Sequence, residues 1–272
     1  MSAEIQAARL AAEAVPASRK RRALKVVEPL CLIAVPLMMG VMALTKMPNF
    51  AVVSAVLVTL SMVPFFMDFE VSHLRARDLM PVVVMSALCV AGRLVFAPLP
   101  AIKPVTAIVI VTALSFGRQT GFLTGALAML VSNIFFGQGP WTPWQMYSYG
   151  LIGYLTGTFA DKGWVSGNRF IYVYGFVASY FYGAIMDTWT LLGLVQPWTL
   201  ATVLITYGNG ALYNLGHAVG TVAFLIPIAR TWPRKFERVK LKYGLGGGSR
   251  GPVASAAEDA ASPSDADGPA AT

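Results

Sequence analysis

Charge is scarce in this chain. Asp, Glu, Lys and Arg make up 12% of its 272 residues, against about 25% in an ordinary soluble domain. Cysteine is nearly absent. Cys31 and Cys89 stand alone in apolar runs, which excludes a disulfide framework or a CxxC site and leaves both as small buried hydrophobes. His73 and His217 are the only histidines, too few for a histidine-based metal site. The chain lacks a GxxxxGK[ST] phosphate loop, an HExxH motif, a Ser-His-Asp set and paired carboxylates inside its apolar runs. ATP hydrolysis by the phosphate-loop route is excluded, no cofactor is expected, and the chain reads as a binding or transport protein rather than an enzyme.

What is present is hydrophobic surface. Apolar residues make up 56% of the sequence, and runs long enough to cross a bilayer recur from Glu28 to Ala229. The expected fold is all-α, a polytopic bundle of membrane helices. Eight spans are predicted, at about 29–45, 49–67, 79–97, 104–118, 119–136, 146–160, 170–194 and 199–229. The fourth is short, and the last is long enough to tilt or project.

The formal charge of +8 does not point to nucleic acid, because the basic residues flank the spans. Arg19, Lys20, Arg21, Arg22 and Lys25 precede the first, and Arg230, Arg234, Lys235, Arg238, Lys240 and Lys242 follow the last. Between spans, one set of loops holds Arg75, Arg77, Arg118, Lys162 and Arg169, and the opposite set only Lys46 and Lys103. That asymmetry predicts a multi-pass cell-membrane protein with both termini cytoplasmic.

Four segments follow from these patterns. Residues 1–28 are an Ala-rich cytoplasmic lead without a signal-peptide cleavage pattern. Residues 29–67 form a two-span hairpin, set off by the polar break at 68–78. Residues 79–230 form a six-span core. Residues 243–272, rich in Gly, Ala, Ser, Pro and Asp, cannot bury a core and read as a disordered cytoplasmic tail. The GxSxG pattern at 247–251 has no strand before it and no helix after it, and is discarded.

Between the fifth and sixth spans lies Gly137-Gln138-Gly139-Pro140-Trp141-Thr142-Pro143-Trp144-Gln145-Met146, a stiff, uncharged, aromatic loop. Thr142, Pro143 and Gln145 fit an N-cap, N1 and N3 in a capping box, so Gln145 has a structural role beside a ligand-binding one. Trp141 and Trp144 serve equally as interface anchors. Gln138 has no such alternative and is favoured for binding. The Pro-Trp-Thr triplet recurs at 197–199 as a second helix start.

Polar residues inside spans are costly in hydrocarbon and mark cavities or partners. Arg93, Asn133, Asp187 and Asn209 all fall in the outer half of the bilayer on the predicted topology, beneath this loop. A buried Arg93–Asp187 pair holding helices together is the structural alternative. Asn214 and His217 lie deeper, the histidine more as a packing group than a ligand. Small residues four apart, at Ala87/Ala91, Gly121/Gly125, Gly153/Gly157 and Gly216/Gly220, allow close helix approach, within the chain or to another protein.

On Ala91-Gly92-Arg93, Ile102-Lys103-Pro104, Gly121 to Gly125 and the stretch Ser132 to Met146, residues 79–230 resemble the substrate-specific S components of energy-coupling factor (ECF) vitamin transporters, nearest the cobalamin-type subgroup. The resemblance implies a six-helix protein that captures a vitamin from outside. It also implies assembly with a transmembrane coupling protein and two cytoplasmic ATPase subunits, and toppling in the bilayer to release the load. The coupling-protein contact of the family corresponds to Ala87 and Ala91. The 29–67 hairpin and the tail are extra to the family core.

The expected function is therefore vitamin capture, cobalamin favoured, for ATP-driven uptake by partners. The expected binding residues are Arg93, Lys103, Asn133, Gln138, Trp141, Trp144, Gln145, Asp187 and Asn209. The alternatives are an intramembrane enzyme acting on a lipid or isoprenoid, with Asp187 as its acid–base group, and a structural membrane subunit without a ligand.

Overall fold

The computed structural model of the chain describes residues 27, 29–35, 37–38, 41, 45, 50–71, 76–165 and 168–243. The basic N-terminal lead, the tail from 244, and His73 and Arg75 of the polar break lie outside them. Among the described residues all regular structure is helical, with no strand. The helices are α1 (Phe50–Val71), α2 (Ala76–Val95), α3 (Val105–Phe116), α4 (Arg118–Phe136), α5 (Thr142–Asp161), α6 (Asn168–Leu194) and α7 (Leu200–Tyr243). Residues 29–35 are helical as well.

Two helices, Arg118–Phe136 and Leu200–Tyr243, are each long and apolar enough to cross a membrane, and Leu79–Val95 and Val105–Phe116 are shorter apolar stretches. Large apolar side chains face outward along the bundle, among them Val83, Val95, Ile134, Leu204 and Leu212. Water would penalise such a surface, whereas lipid tails accept it. The fold is a membrane helical bundle. The last helix runs 14 residues past Ala229, to Tyr243, as a basic extension whose Phe236 packs on Phe116, with Trp232 edge to face on Phe236.

The short span is the central one. α3 has only 12 residues, about 18 Å at 1.5 Å per residue, against a hydrocarbon core of about 30 Å. It is apolar all round and buried nearly throughout, as a helix enclosed by others must be. A single residue, Gly117 at φ +91°, turns the chain from α3 into α4. Only glycine adopts that conformation without strain.

α4 and α5 touch backbone to backbone. A Cβ on Gly153 would lie 2.3 Å from the carbonyl carbon of Gly121, and one on Gly125 would lie 2.5 Å from the Tyr149 carbonyl oxygen. The Gly121/Gly125 and Gly153/Gly157 pairs are thus spent on internal packing. Gly216 and Gly220 face Ala101 and Ile102, so the α2–α3 connection lies against α7. Ala87 and Ala91 differ, since both are exposed on α2.

On one flank, Leu32, Val35, Val58 and Met62 of the N-terminal helices join Phe122, Trp144, Tyr147, Leu151 and Trp189 in a single apolar cluster. Two hydrogen bonds fasten it: Trp144 Nε1 donates to Ser54 Oγ (3.1 Å), and the Tyr147 hydroxyl donates to the Leu32 carbonyl (2.7 Å). A cavity lies where the α2–α3 connection meets α4 to α7.

Candidate functional site

α2 and α4 end, and α3 and α5 begin, at the same end of the bundle, and this shared edge places the polar residues. Arg93, in the last turn of α2, donates through Nη1 to Asn133 Oδ1 (2.7 Å) and Ser132 Oγ, with Met129 Sδ at 3.7 Å. Its guanidinium lies 4.6 Å from the centre of the Phe136 ring, a cation–π distance. Asn133 is buried, and its Nδ2 donates in turn to Gln145 Oε1 (2.7 Å) and Thr142 Oγ1 (3.1 Å) at the start of α5. One network therefore ties three helices together and fixes the arginine.

This network replaces the expected capping box. α5 begins at Thr142 with Trp141 in the N-cap position, without a side-chain cap. The Thr142 hydroxyl accepts from the Gly139 N–H (3.3 Å) instead. The Gln145 amide turns toward Asn133, because a buried amide donor left unpaired costs more than an uncapped helix end open to solvent.

The cavity beside the network measures about 210 Å³ and is half open. Arg93 and Lys103 supply its charge, and Phe136, Tyr149, Tyr182, Tyr213 and His217 its ring surfaces. Tyr149 and Tyr182 lie 4.4 Å apart between ring centres, and His217 lies 5.3 Å from Tyr182 and 6.5 Å from Tyr149. Thr106 Oγ1 sits 3.3 Å from His217 Nε2 and anchors the ring from α3. The Tyr213 hydroxyl donates to the Pro100 carbonyl (2.9 Å) and pins the α2–α3 connection beside the cavity.

Lys103 closes that connection. Its ammonium donates to the carbonyls of Phe96, Ala97 and Leu99, past the end of α2, where a cation is favoured by the unpaired carbonyls. Burial, and then the Arg93 charge, hold its pKa below the ordinary lysine value.

The nine residues expected from the sequence do not converge on this cavity. Arg93 and Lys103 line it, and Asn133 and Gln145 support Arg93. Trp144 is 1% exposed and packs toward the N-terminal helices. Trp141, 37% exposed, meets Trp189 edge to face. Gln138 is exposed and does have a structural partner, since its Nε2 donates to the Leu130 carbonyl (2.8 Å). Asn209 is exposed on α7.

The Arg93–Asp187 pair does not form. Asp187 Oδ2 accepts from Asn214 Nδ2 (2.8 Å), in a space left open by Gly210. This contact belongs to a polar seam between α6 and α7 that also joins Ser179 to Thr221 and Thr188 to Tyr207. Asp187 does not line the cavity. Among the described residues no group of three or more His, Cys, Asp or Glu side chains converges to hold a metal.

Sequence reasoning missed Phe136, Tyr149, Tyr182 and Tyr213, and read His217 only as packing. The available signal was tyrosine within apolar spans, but aromatic residues there commonly serve packing, and no spacing links side chains on α5, α6 and α7. The arrangement suits a flat aromatic molecule: ring faces for stacking, a cation at the rim and neutral hydrogen-bonding groups beside it.

Residues 73–172 match the family model described as "ECF-type riboflavin transporter, S component". The match runs from α2 through α5 into the start of α6, and so includes Ala87, Ala91, Arg93, Lys103, Asn133 and Tyr149 but not Tyr182, Asp187, Tyr213 or His217. No curated protein and no solved structure matches the chain. The matched family is of the riboflavin type, so the cobalamin-type subgroup gains no support. Over this segment the chain is similar to ECF S components, which are membrane-embedded transporter subunits and not enzymes, and the match supports that family for it.

Proposed function

We propose that this chain is the substrate-binding membrane subunit of an ECF-type importer, and that it takes a flat, flavin-like vitamin into the cavity bounded by Arg93, Tyr149, Tyr182 and His217. The observation that carries the reading is the ring cluster itself. Tyr149, Tyr182 and His217 come from three helices and present ring surface beside two cations, Arg93 and Lys103. The family match to a riboflavin-type S component points to the same ligand class. Cobalamin fits less well, because a corrin is much bulkier than a flavin ring and the cavity measures about 210 Å³.

In this reading Arg93 and Lys103 border the ligand, Asn133 and Gln145 hold Arg93, and the loop carrying Gln138 and Trp141 covers the approach from outside. Trp144 and Asp187 support the helices rather than the ligand, and Asn209 is exposed. Both termini are cytoplasmic. The exposed Ala87 and Ala91 on α2 offer a smooth apolar face to a transmembrane coupling protein, whose two ATPase partners supply the energy that this chain lacks a phosphate loop to provide.

The experiment is a titration of the purified full chain with riboflavin, followed by quenching of flavin fluorescence, beside mass spectrometry of any co-purified small molecule. Saturable quenching without turnover supports the reading. Absence of quenching together with a co-purified corrinoid would overturn the ligand class, and turnover by the isolated chain would overturn the transporter role.

A further inference from the structure

We infer that the ligand of this cavity carries an anionic group, a phosphate or a carboxylate, seated against Arg93 at the rim, with its ring deeper, beside Tyr149, Tyr182 and His217. The inference rests on the vitamin-binding reading and adds the charge of the substrate to it.

The first ground is the unbalanced charge. Arg93 and Lys103 both line the cavity, and no acidic residue lines it. Among the described residues the partners of Arg93 are all neutral: Asn133, Ser132, Met129 and the Phe136 ring. The ion pair seen there, Lys240–Glu237, lies on the α7 extension. Asp187, an acid of the neighbouring helix pair, is bonded to Asn214 instead. A cation within a membrane bundle is costly without a counter-charge, so an arriving anion is favoured well beyond a neutral ligand of the same shape.

The second ground is the supply of donors. Among the described residues the hydrogen bonds of Arg93 leave from Nη1, and a guanidinium has five N–H groups. Nε and Nη2 are therefore left, among the described residues, to grip two oxygens of a phosphate or carboxylate. Lys103 is placed differently. Its three carbonyl bonds use its three N–H groups, so it contributes field rather than contact.

The third ground is depth. Asn133 ties Arg93 to the level of Thr142 and Gln145. Tyr149 follows Gln145 by four residues, about one turn or 5.4 Å further along α5. Charge at the rim and rings below match a planar molecule whose charged group trails outward.

The test uses the full chain in lipid nanodiscs and three flavins read by fluorescence quenching: neutral riboflavin, flavin mononucleotide for phosphate, and 10-carboxymethylflavin for carboxylate. At low salt at least one of the two anions is expected to bind about tenfold or more tighter than riboflavin, the scale of one charge-assisted contact. Which anion gains identifies the group. Added salt should weaken the anions and leave riboflavin unchanged. Arg93→Gln should bring the favoured anion to within about twofold of riboflavin, and Arg93→Lys should keep part of the preference. The wild-type comparison holds even if Arg93→Gln does not fold. Equal affinities for all three would leave flavin binding standing and overturn the anion, as would an Arg93→Gln loss shared equally by all three. Failure of every flavin to bind would remove the flavin reading and this inference with it.

Discussion

Arg93 Nη1 donates to Asn133 Oδ1 across 2.7 Å, and among the described residues no carboxylate stands behind that contact. The amide thus positions a charge without neutralising it. Because Asn133 also donates to Thr142 and Gln145, the arginine is set by α4 and α5 together. A lone surface arginine would have its full side-chain freedom to lose on binding, whereas this one has lost much of it beforehand.

Asn133→Asp should place a carboxylate where the amide oxygen now accepts from Arg93. The guanidinium would then carry its own counter-ion. We expect the preference for an anionic flavin over riboflavin to fall by about tenfold, with riboflavin affinity changed far less. The three-flavin titration reads both quantities.

Tyr182→Ala should remove a ring face 4.4 Å from Tyr149 and 5.3 Å from His217. Aromatic pairing is worth about 0.5–1.5 kcal/mol beyond buried area, so flavin affinity should fall about tenfold once lost contact area is added. Trp141→Ala, at a residue outside the cavity lining, should cost less than half as much in free energy. Equal losses at the two positions would move the binding surface from the ring cluster to the 137–141 loop.

Gly153→Ala should force α4 and α5 apart, since its Cβ would lie 2.3 Å from Gly121 backbone atoms. Overpacking of this kind costs about 1–3 kcal/mol, and here the obstacle is backbone that cannot rotate away. The thermal midpoint in detergent should drop, while Gly208→Ala, where nothing lies within 4 Å, should leave it nearly unchanged.

Ala87→Leu combined with Ala91→Leu should leave the isolated chain as stable as before, because both positions are exposed on α2 and surface changes usually stay within about 0.5 kcal/mol. Capture of the coupling protein should be lost, with flavin affinity unaltered. Parallel changes in capture and affinity would show that this face serves the chain's own fold.

Much of the architecture was legible in order along the chain. The apolar run at 104–118 announced a short helix, and α3 is Val105–Phe116. The stretch before Gly137 announced a helix ending there, and α4 ends at Phe136. Arg93 stood out because charge within an apolar span is expensive, and Lys103 through the resemblance at Ile102-Lys103-Pro104. The capping box at Thr142 and Gln145 misled, since local spacing cannot register a buried amide on another helix. Trp144 could not be assigned to the apolar cluster until Ser54 was seen to accept its N–H.

By itself the sequence determined that the chain is helical and suited to lipid, roughly where α3 and α4 lie along it, and that phosphate-loop chemistry is absent. These follow from composition and from contacts a few residues apart. Only the tertiary structure decided that the glycine pairs on α4 and α5 face each other, that Asp187 serves Asn214 rather than Arg93, and that Tyr149, Tyr182, Tyr213 and His217 surround one space. Those relations depend on how each helix is rotated about its axis. Rotation is set by backbone contacts at Gly121 and Gly153 and by bonds such as Arg93 to Asn133, between residues far apart in the chain.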